Sequence, residues 1–211
     1  MQQKELIIFD MDGTLIDSGD VITNTINFVR DNLGLEKIEK QTMLEQLNNP
    51  EINSAEYFYG TKEFTTQQTE LFTQYYNENC VKDIKLYEGI EELLNSLQKD
   101  FILSIATNAS RDFAIKMIKH LNIDKYFNIV IGSSCVKKPK PHPDMVLKTL
   151  NDLQIHHHKS IVVGDSLKDM QAAQAANVDG ILVSWGFSNY ETHSQTIQSS
   201  NELYKKLSSL K

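Results

Sequence analysis

The sequence predicts an α/β fold, a doubly wound parallel sheet with an all-helical module inserted after its first strand. Three observations carry this. Short, fully apolar runs alternate with amphipathic helical patterns from Leu86 onward. A run of the same kind, Leu6 to Phe9, opens the chain. Between them, from Asp17 to Asp83, the periodicity is helical and no convincing strand occurs. Apolar strands joined by helices imply parallel pairing with both faces of the sheet covered. The expected division is residues 1–16 and 84–211 for the α/β core and 17–83 for the insert. A chain of 211 residues has room for one good core and a modest second module.

The elements follow in order. Leu6–Phe9 is bounded by the turn residues around Gly13 and reads as a buried strand. Ile22, Thr25, Ile26, Val29 and Leu33 form one helical face that ends at Gly34. Met43, Leu44 and Leu47 belong to a second helix closed by Asn48-Asn49-Pro50. Thr65-x-x-Gln68 is a capping-box pattern, opening a helix whose buried stripe is Leu71, Phe72, Tyr75 and Tyr76. In the second half, strands are expected at 101–106, 129–131, 160–163 and 181–183. Intervening helices carry Ile90, Leu93, Leu94 and Leu97, then Ala114, Met117, Ile118 and Leu121, then Val146, Leu147, Leu150 and Leu153. An Ala-rich helix covers 167–176 and a closing helix about 201–210.

Composition excludes several classes. The net charge is −7, and Lys137, Lys138 and Lys140 form the one dense basic patch, so a nucleic-acid partner is not expected. No stretch reaches the ~20 apolar residues of a membrane span, and Met1 to Phe9 carries no apolar region long enough for a signal peptide. Cys80 and Cys135 stand apart, without metal-ligand spacing, and read as reduced thiols of a cytoplasmic protein, monomer or homodimer. The run His156-His157-His158 cannot share one face of a helix or strand and reads as a solvated loop.

Ligands of open α/β sheets bind beyond the carboxyl ends of the strands, and the conspicuous polar residues fall there. Asp10 and Asp12 end the first strand, Thr107-Asn108 the strand near 101–106, and Gly164-Asp165 the strand near 160–163, while Lys140 lies in the loop after 129–131. Aspartate is rarely buried unless it is paired or bound to a metal. Four strands therefore aim acids, a hydroxyl and an ammonium at one rim.

The set resembles the haloacid dehalogenase superfamily of phosphohydrolases. Asp10-Met11-Asp12-Gly13-Thr14 matches its first motif, Thr107-Asn108 the second, a lysine before Pro-x-Pro-Asp the third, and Gly164-Asp165-Ser166-Leu167-Lys168-Asp169 the fourth. The insert after the first motif resembles the helical cap of the subgroup containing phosphoglycolate phosphatases and β-phosphoglucomutases, on a Rossmann-like core. The resemblance implies Asp10 as nucleophile forming an aspartyl-phosphate, and Asp12 as general acid and then base. Mg²⁺ would sit on Asp10, the Asp12 carbonyl and Asp165, with Asp169 supporting from behind. Thr107, the Asn108 amide and a lysine would hold the phosphoryl oxygens. Both Lys138 and Lys140 fit Lys-Pro-x-Pro. Lys140 is chosen because only its register runs on into Asp144 and an apolar helix, and its distance to Asp165 resembles the family spacing. Asp169 also fits a capping box with Ser166.

The insert is expected to close over the site. Candidate substrate contacts are Asp17 and Ser18, Arg30, the stretch Tyr57-Phe58-Tyr59-Gly60-Thr61-Lys62, and Arg111 just past the second motif. The aromatics read first as helix-bundle core and Arg111 as a solvated first-turn residue. By resemblance, the expected activity is hydrolysis of a small phosphorylated metabolite such as 2-phosphoglycolate. Inorganic pyrophosphatase and a β-phosphoglucomutase-like phosphomutase are the alternatives. The mutase is disfavoured because the helix after Ser18, with Asn24, Thr25 and Asn27, lacks the histidine that β-phosphoglucomutases carry near the first motif. A catalytically inactive binding protein on the same fold is the reading from another class.

Overall fold

The computed structural model describes residues 3–188 and 196–211. Strand β1 (Leu6–Phe9) leads through a tight turn to β2 (Ile16–Asp17). Four helices follow: α1 (Gly19–Asn32), α2 (Lys40–Asn48), α3 (Ser54–Tyr59) and α4 (Thr66–Asn79). The chain returns through β3 (Lys85–Leu86) and then alternates: α5 (Ile90–Leu97), β4 (Ile102–Thr107), α6 (Arg111–His120), β5 (Ile129–Gly132), α7 (Asp144–Leu153), β6 (Ser160–Gly164), α8 (Leu167–Ala175), β7 (Asp179–Leu182) and α9 (Ser200–Ser208).

The main sheet has the order β5-β4-β1-β6-β7, every neighbour parallel. The central strand β1 is where the connections switch direction, the place at which open α/β sheets leave a crevice for ligands. Alternation along β1 feeds two cores. Ile7 and Phe9 face one side, against Leu93 and Leu94 of α5, Met117 of α6 and Leu203 of α9. Leu6 and Ile8 face the other, against Val146 of α7 and Ala172 and Ala173 of α8. The methyl side chains of α8 let that helix lie close to the sheet, as its small-residue face suggests.

The first core continues without a break into the four helices after β2, through Ile22, Ile26, Met43 and Phe58. Helix α1 packs on α2, α3 and α4, and Phe28 stacks on Tyr75 with ring centroids 4.6 Å apart. The capping box at Thr65 and Gln68 is present in both directions.

Three local expectations are corrected. The segments at the two ends of the insert form a two-stranded antiparallel ribbon, Ile16 opposite Leu86 and Asp17 opposite Lys85, so Asp17 is strand. The Lys85 ammonium lies 3.5 Å from the Asp17 carboxylate. Two-residue strands are too short for alternation to mark them. Leu147 is 47% exposed rather than part of the buried face of α7; Met145, Val146, Thr149 and Leu150 fill that face instead. On α4, Tyr76 and Gln68 are buried, whereas Leu71, Phe72 and Tyr75 are only half-buried. No helix among the described residues is long and apolar enough to cross a membrane.

Candidate active site

Strand β1 ends at Phe9, and the Asp10 amide still donates to the Val163 carbonyl at 2.8 Å, which carries Asp10 one position past the sheet edge. The chain then turns: the Met11 carbonyl accepts from the amides of Leu15 and Ile16 at 2.9 and 3.0 Å. Gly13 makes this possible. Its φ is +86°, and a Cβ there would run into the Asp165 carboxylate, so any side chain would be strained by backbone and neighbour together. The turn brings the end of β1 against the end of β6.

Lys140 is buried at the centre of the rim. Its ammonium donates to Asp10 Oδ1 at 2.6 Å, Asp169 Oδ1 at 2.6 Å and the Ala106 carbonyl at 2.7 Å. Lys138, the competing lysine, is exposed. The Asn108 side chain clasps the Lys140 backbone: its Nδ2 donates to the Lys140 carbonyl and its Oδ1 accepts from the Lys140 amide, both at 2.9 Å. Asp169 does two jobs at once. Oδ1 meets Lys140, while Oδ2 accepts from the Ser166 amide at 3.1 Å and hydroxyl at 2.6 Å, closing the box at the start of α8.

Asp12 lies one turn outward. Its Oδ1 accepts from the Ser18 hydroxyl at 2.6 Å and its Oδ2 from the Thr107 hydroxyl at 3.3 Å. Thr107 Oγ1 in turn accepts from the Ala109 amide at 3.1 Å. Asp165 is fully buried. Oδ1 accepts from Thr14 at 3.3 Å, and Oδ2 from the Phe187 amide and the Asn48 side chain, each at 2.9 Å.

Carboxylate oxygens of Asp10, Asp165 and Asp169 all lie within 4.8 Å of one another. Burial, reinforced by Asp169 and Asp165, holds the Asp10 carboxyl well above its ordinary range despite Lys140. Burial, with Asp169 beside it, pushes Asp165 up to about 7. Asp12 is also raised by burial, against the hydrogen bonds from Ser18 and Thr107. Lys140 is stabilised as a cation: burial opposes its charge, but Asp10 and Asp169 outweigh that. The one ammonium thus meets two of the three buried acids directly, and the cluster is short of positive charge. An all-oxygen donor set of this kind suits a hard divalent cation; the resemblance assigns Asp10 and Asp165 to hold it, with Asp169, clamped by Lys140 and Ser166, supporting from behind.

Each residue expected at the rim is therefore found there: Asp10, Asp12, Thr107, Asn108, Lys140, Asp165 and Asp169. Asp10, Asp12, Thr107, Asn108 and Lys140 line the floor of a cavity of about 620 Å³ whose roof is made by the inserted helices, while Asp165 and Asp169 lie outside that lining. The expected contacts in the insert fare unevenly. Phe58 and Tyr59 line the cavity; Tyr57 and Lys62 do not. Arg30 turns away, donating to the carbonyls of Glu36 and Phe58. Arg111 donates from Nε to the Val130 carbonyl at 3.2 Å and lies outside the cavity lining. Two residues that sequence reasoning did not single out bind the insert to the floor. Asn48 reaches Asp165, and Lys168 donates to the Leu47 carbonyl at 2.6 Å. Their partners are more than a hundred positions away in the chain, so no local pattern marks them.

With this geometry in place, comparison with known proteins is decisive. The sequence profile of haloacid dehalogenase-like hydrolases matches residues 7–183. The chain belongs to the haloacid dehalogenase-like hydrolase family. Among curated members, a phosphoglycolate phosphatase from Aquifex aeolicus (strain VF5) is 32% identical over 183 residues, covering 86% of this chain and 85% of that protein. A phosphoglycolate phosphatase from Escherichia coli (strain K12) is 27% identical over 208 residues, covering 87% and 82%. The crystal structure of a predicted phosphatase from Clostridium acetobutylicum superposes with a TM-score of 0.88 at 27% identity, covering 99% of this chain and all of that one.

Proposed function

We propose that the protein is a phosphatase that hydrolyses a small phosphate monoester through an aspartyl-phosphate on Asp10, with Mg²⁺, in the cytoplasm. One observation carries the reading: Asp10 Oδ1 sits 2.6 Å from the Lys140 ammonium, with Asp165 beside it and Asp12 held by Ser18 and Thr107. Phosphate monoesters hydrolyse so slowly unaided that positioning, worth roughly 7–11 kcal/mol, needs large electrostatic help.

Asp10 and Asp165 would hold the ion with the Asp12 carbonyl. When bound, it supplies the positive charge that lets an anionic carboxylate approach an anionic phosphate. The remaining work belongs to the chain. Asp10 attacks phosphorus and the P–O bond to the alcohol breaks. Lys140, clamped by Asp169 and the Ala106 carbonyl, offers its charge to the equatorial oxygens. Thr107 and the Asn108 amide, at the end of β4, donate to a phosphoryl oxygen. Asp12, whose pKa burial has raised, carries the proton the leaving alcohol takes up, then as carboxylate removes one from the water that cleaves the aspartyl-phosphate. The inserted helices exclude bulk water while this happens. The relatives' names nominate 2-phosphoglycolate as the first metabolite to assay.

The test is phosphate release from p-nitrophenyl phosphate with Mg²⁺ and with a chelator. Turnover should require the metal, and Asp10→Asn should lower kcat by about 10³-fold or more with an unchanged circular-dichroism spectrum. A folded Asp10→Asn protein that retains even a few per cent of the activity removes Asp10 as nucleophile. Metal-independent activity removes the cation from the scheme.

A further inference from the structure

The roof of the cavity carries more information than its shape. Its lining from the insert includes Ile22, Ile26, Phe58, Phe64 and Phe72, and Phe113 of α6 closes one side. Among the described residues, no charged side chain from the insert lines it; Asn48, Ser54, Gln68, Thr69 and Thr73, with the Tyr59 and Tyr76 hydroxyls, supply its neutral polar groups. The Gln68 amide is already used, accepting from the Thr65 amide at 2.9 Å and donating to Thr61 at 3.3 Å. The chain's two arginines do not line the cavity, and both donate to backbone carbonyls. The only cations that line the cavity among the described residues are on the floor. Lys140 is paired with two aspartates, and Lys168 is tied to the Leu47 carbonyl.

A substrate with a second anionic group would meet no cationic partner from the insert on this roof. A buried charge without a partner is strongly disfavoured, and a site built for a carboxylate normally supplies a cationic fork or amides aimed at it. The volume points the same way. About 620 Å³ lies in the roughly 300–1,000 Å³ range of sites for drug-sized ligands, far more than a two-carbon acid fills. Aromatic and branched side chains of this kind gain by covering apolar surface and aromatic rings.

We infer that the organic half of the substrate is neutral, predominantly apolar and at least the size of an aromatic ring: the ester of an aryl or branched alkyl alcohol rather than of a hydroxy acid or a second phosphate. The inference rests on the phosphatase reading for the orientation of the ligand, phosphoryl group on the floor and alcohol under the roof. Glycolate and pyrophosphate become poor ligands of this particular roof, whatever the relatives' names say of those proteins.

The experiment uses binding, so that it does not depend on turnover. Benzylphosphonate and 3-phosphonopropionate, the carbon isosteres of phenyl phosphate and 2-phosphoglycolate, are titrated calorimetrically into the wild-type protein with Mg²⁺. Both carry the same phosphonate, so the ratio of their affinities reads the organic end alone. Benzylphosphonate is expected to bind about tenfold more tightly or better. Phe72→Ala should weaken benzylphosphonate several-fold and leave 3-phosphonopropionate unchanged. Thr73→Arg, at an exposed helical position that tolerates arginine, adds the missing cation and should move the ratio toward 3-phosphonopropionate by about tenfold. A wild-type ratio of about threefold or less, or no binding of benzylphosphonate, overturns the inference. Failure of the phosphatase reading looks different: the affinity ratio survives, and no Mg²⁺-dependent phosphate is released from either phosphate ester.

Discussion

At the floor of the cavity every functional side chain is held by several others, whereas at the roof the side chains are held mainly by packing. Lys140 touches two carboxylates and a carbonyl, Asp165 takes hydrogen bonds from three residues on three segments, and Asp169 serves a lysine and a helix start together. Phe64, by contrast, is 57% exposed and meets Tyr59 edge-on with centroids 6.0 Å apart. The floor stores charge in a fixed pattern, which is what acceleration of a phosphoryl transfer needs. The roof offers area and shape, which select a leaving group and can be exchanged without disturbing the chemistry. Polar links that include Asn48 to Asp165 and Lys168 to Leu47 join these regions.

The largest effect should come from breaking the floor. Lys140→Met removes the cation shared by Asp10 and Asp169 and leaves three buried acids facing one another. Losing one partner of a buried pair costs about 3–5 kcal/mol, and kcat should fall by about 10³-fold or more. Urea unfolding and phosphate release measure the two. A variant with wild-type stability and only a few-fold lower kcat would mean that the Lys140 contacts do not organise the floor. The same substitution at Lys138, exposed and outside the cluster, should change neither quantity.

An intermediate effect is expected at the junction. Asn48→Ala leaves Asp165 Oδ2 with the Phe187 amide alone. Groups that orient a metal-binding carboxylate typically matter by 10–100-fold in metal affinity, so the Mg²⁺ concentration for half-maximal activity should rise about tenfold. Since Asn48 belongs to α2, thermal stability should drop only slightly. If the Mg²⁺ requirement is unchanged and KM alone rises, Asn48 acts on the roof's placement and not on the ion.

The same contrast explains what could be read before the structure. The floor was legible because its residues close apolar runs: Asp10 after Leu6–Phe9, Thr107 as the last residue of Ile102–Thr107, Asp165 after Ser160–Gly164. An acid directly after a buried strand has few packing explanations, and order along the chain does the rest. The roof was opaque because Phe58, Phe72 and Tyr76 satisfy helical periodicity whether they face a neighbouring helix or an empty cavity. Periodicity reports which face is apolar, not what covers it. The ribbon of Ile16–Asp17 with Lys85–Leu86 was invisible for another reason, since pairing between two-residue segments leaves no pattern in either.

The smallest expected effect is at Arg111, and it sharpens the roof side of the comparison. From its position just after the second motif, an arginine there has the right charge to receive a substrate carboxylate. The structure instead directs Nε to the Val130 carbonyl at the end of the sheet, with the Arg111 amide donating to the Ser134 hydroxyl. Arg111→Ala keeps the second contact and loses the first, a hydrogen bond from a charged donor at a partly exposed site, worth about 1 kcal/mol of stability. Because the side chain does not line the cavity, kcat/KM should shift by less than about twofold for aryl and carboxylate-bearing phosphates alike. A selective loss with 2-phosphoglycolate would bring Arg111 into the site during turnover. The roof would then acquire its missing cation by movement, and an uncharged leaving group would no longer follow from the lining.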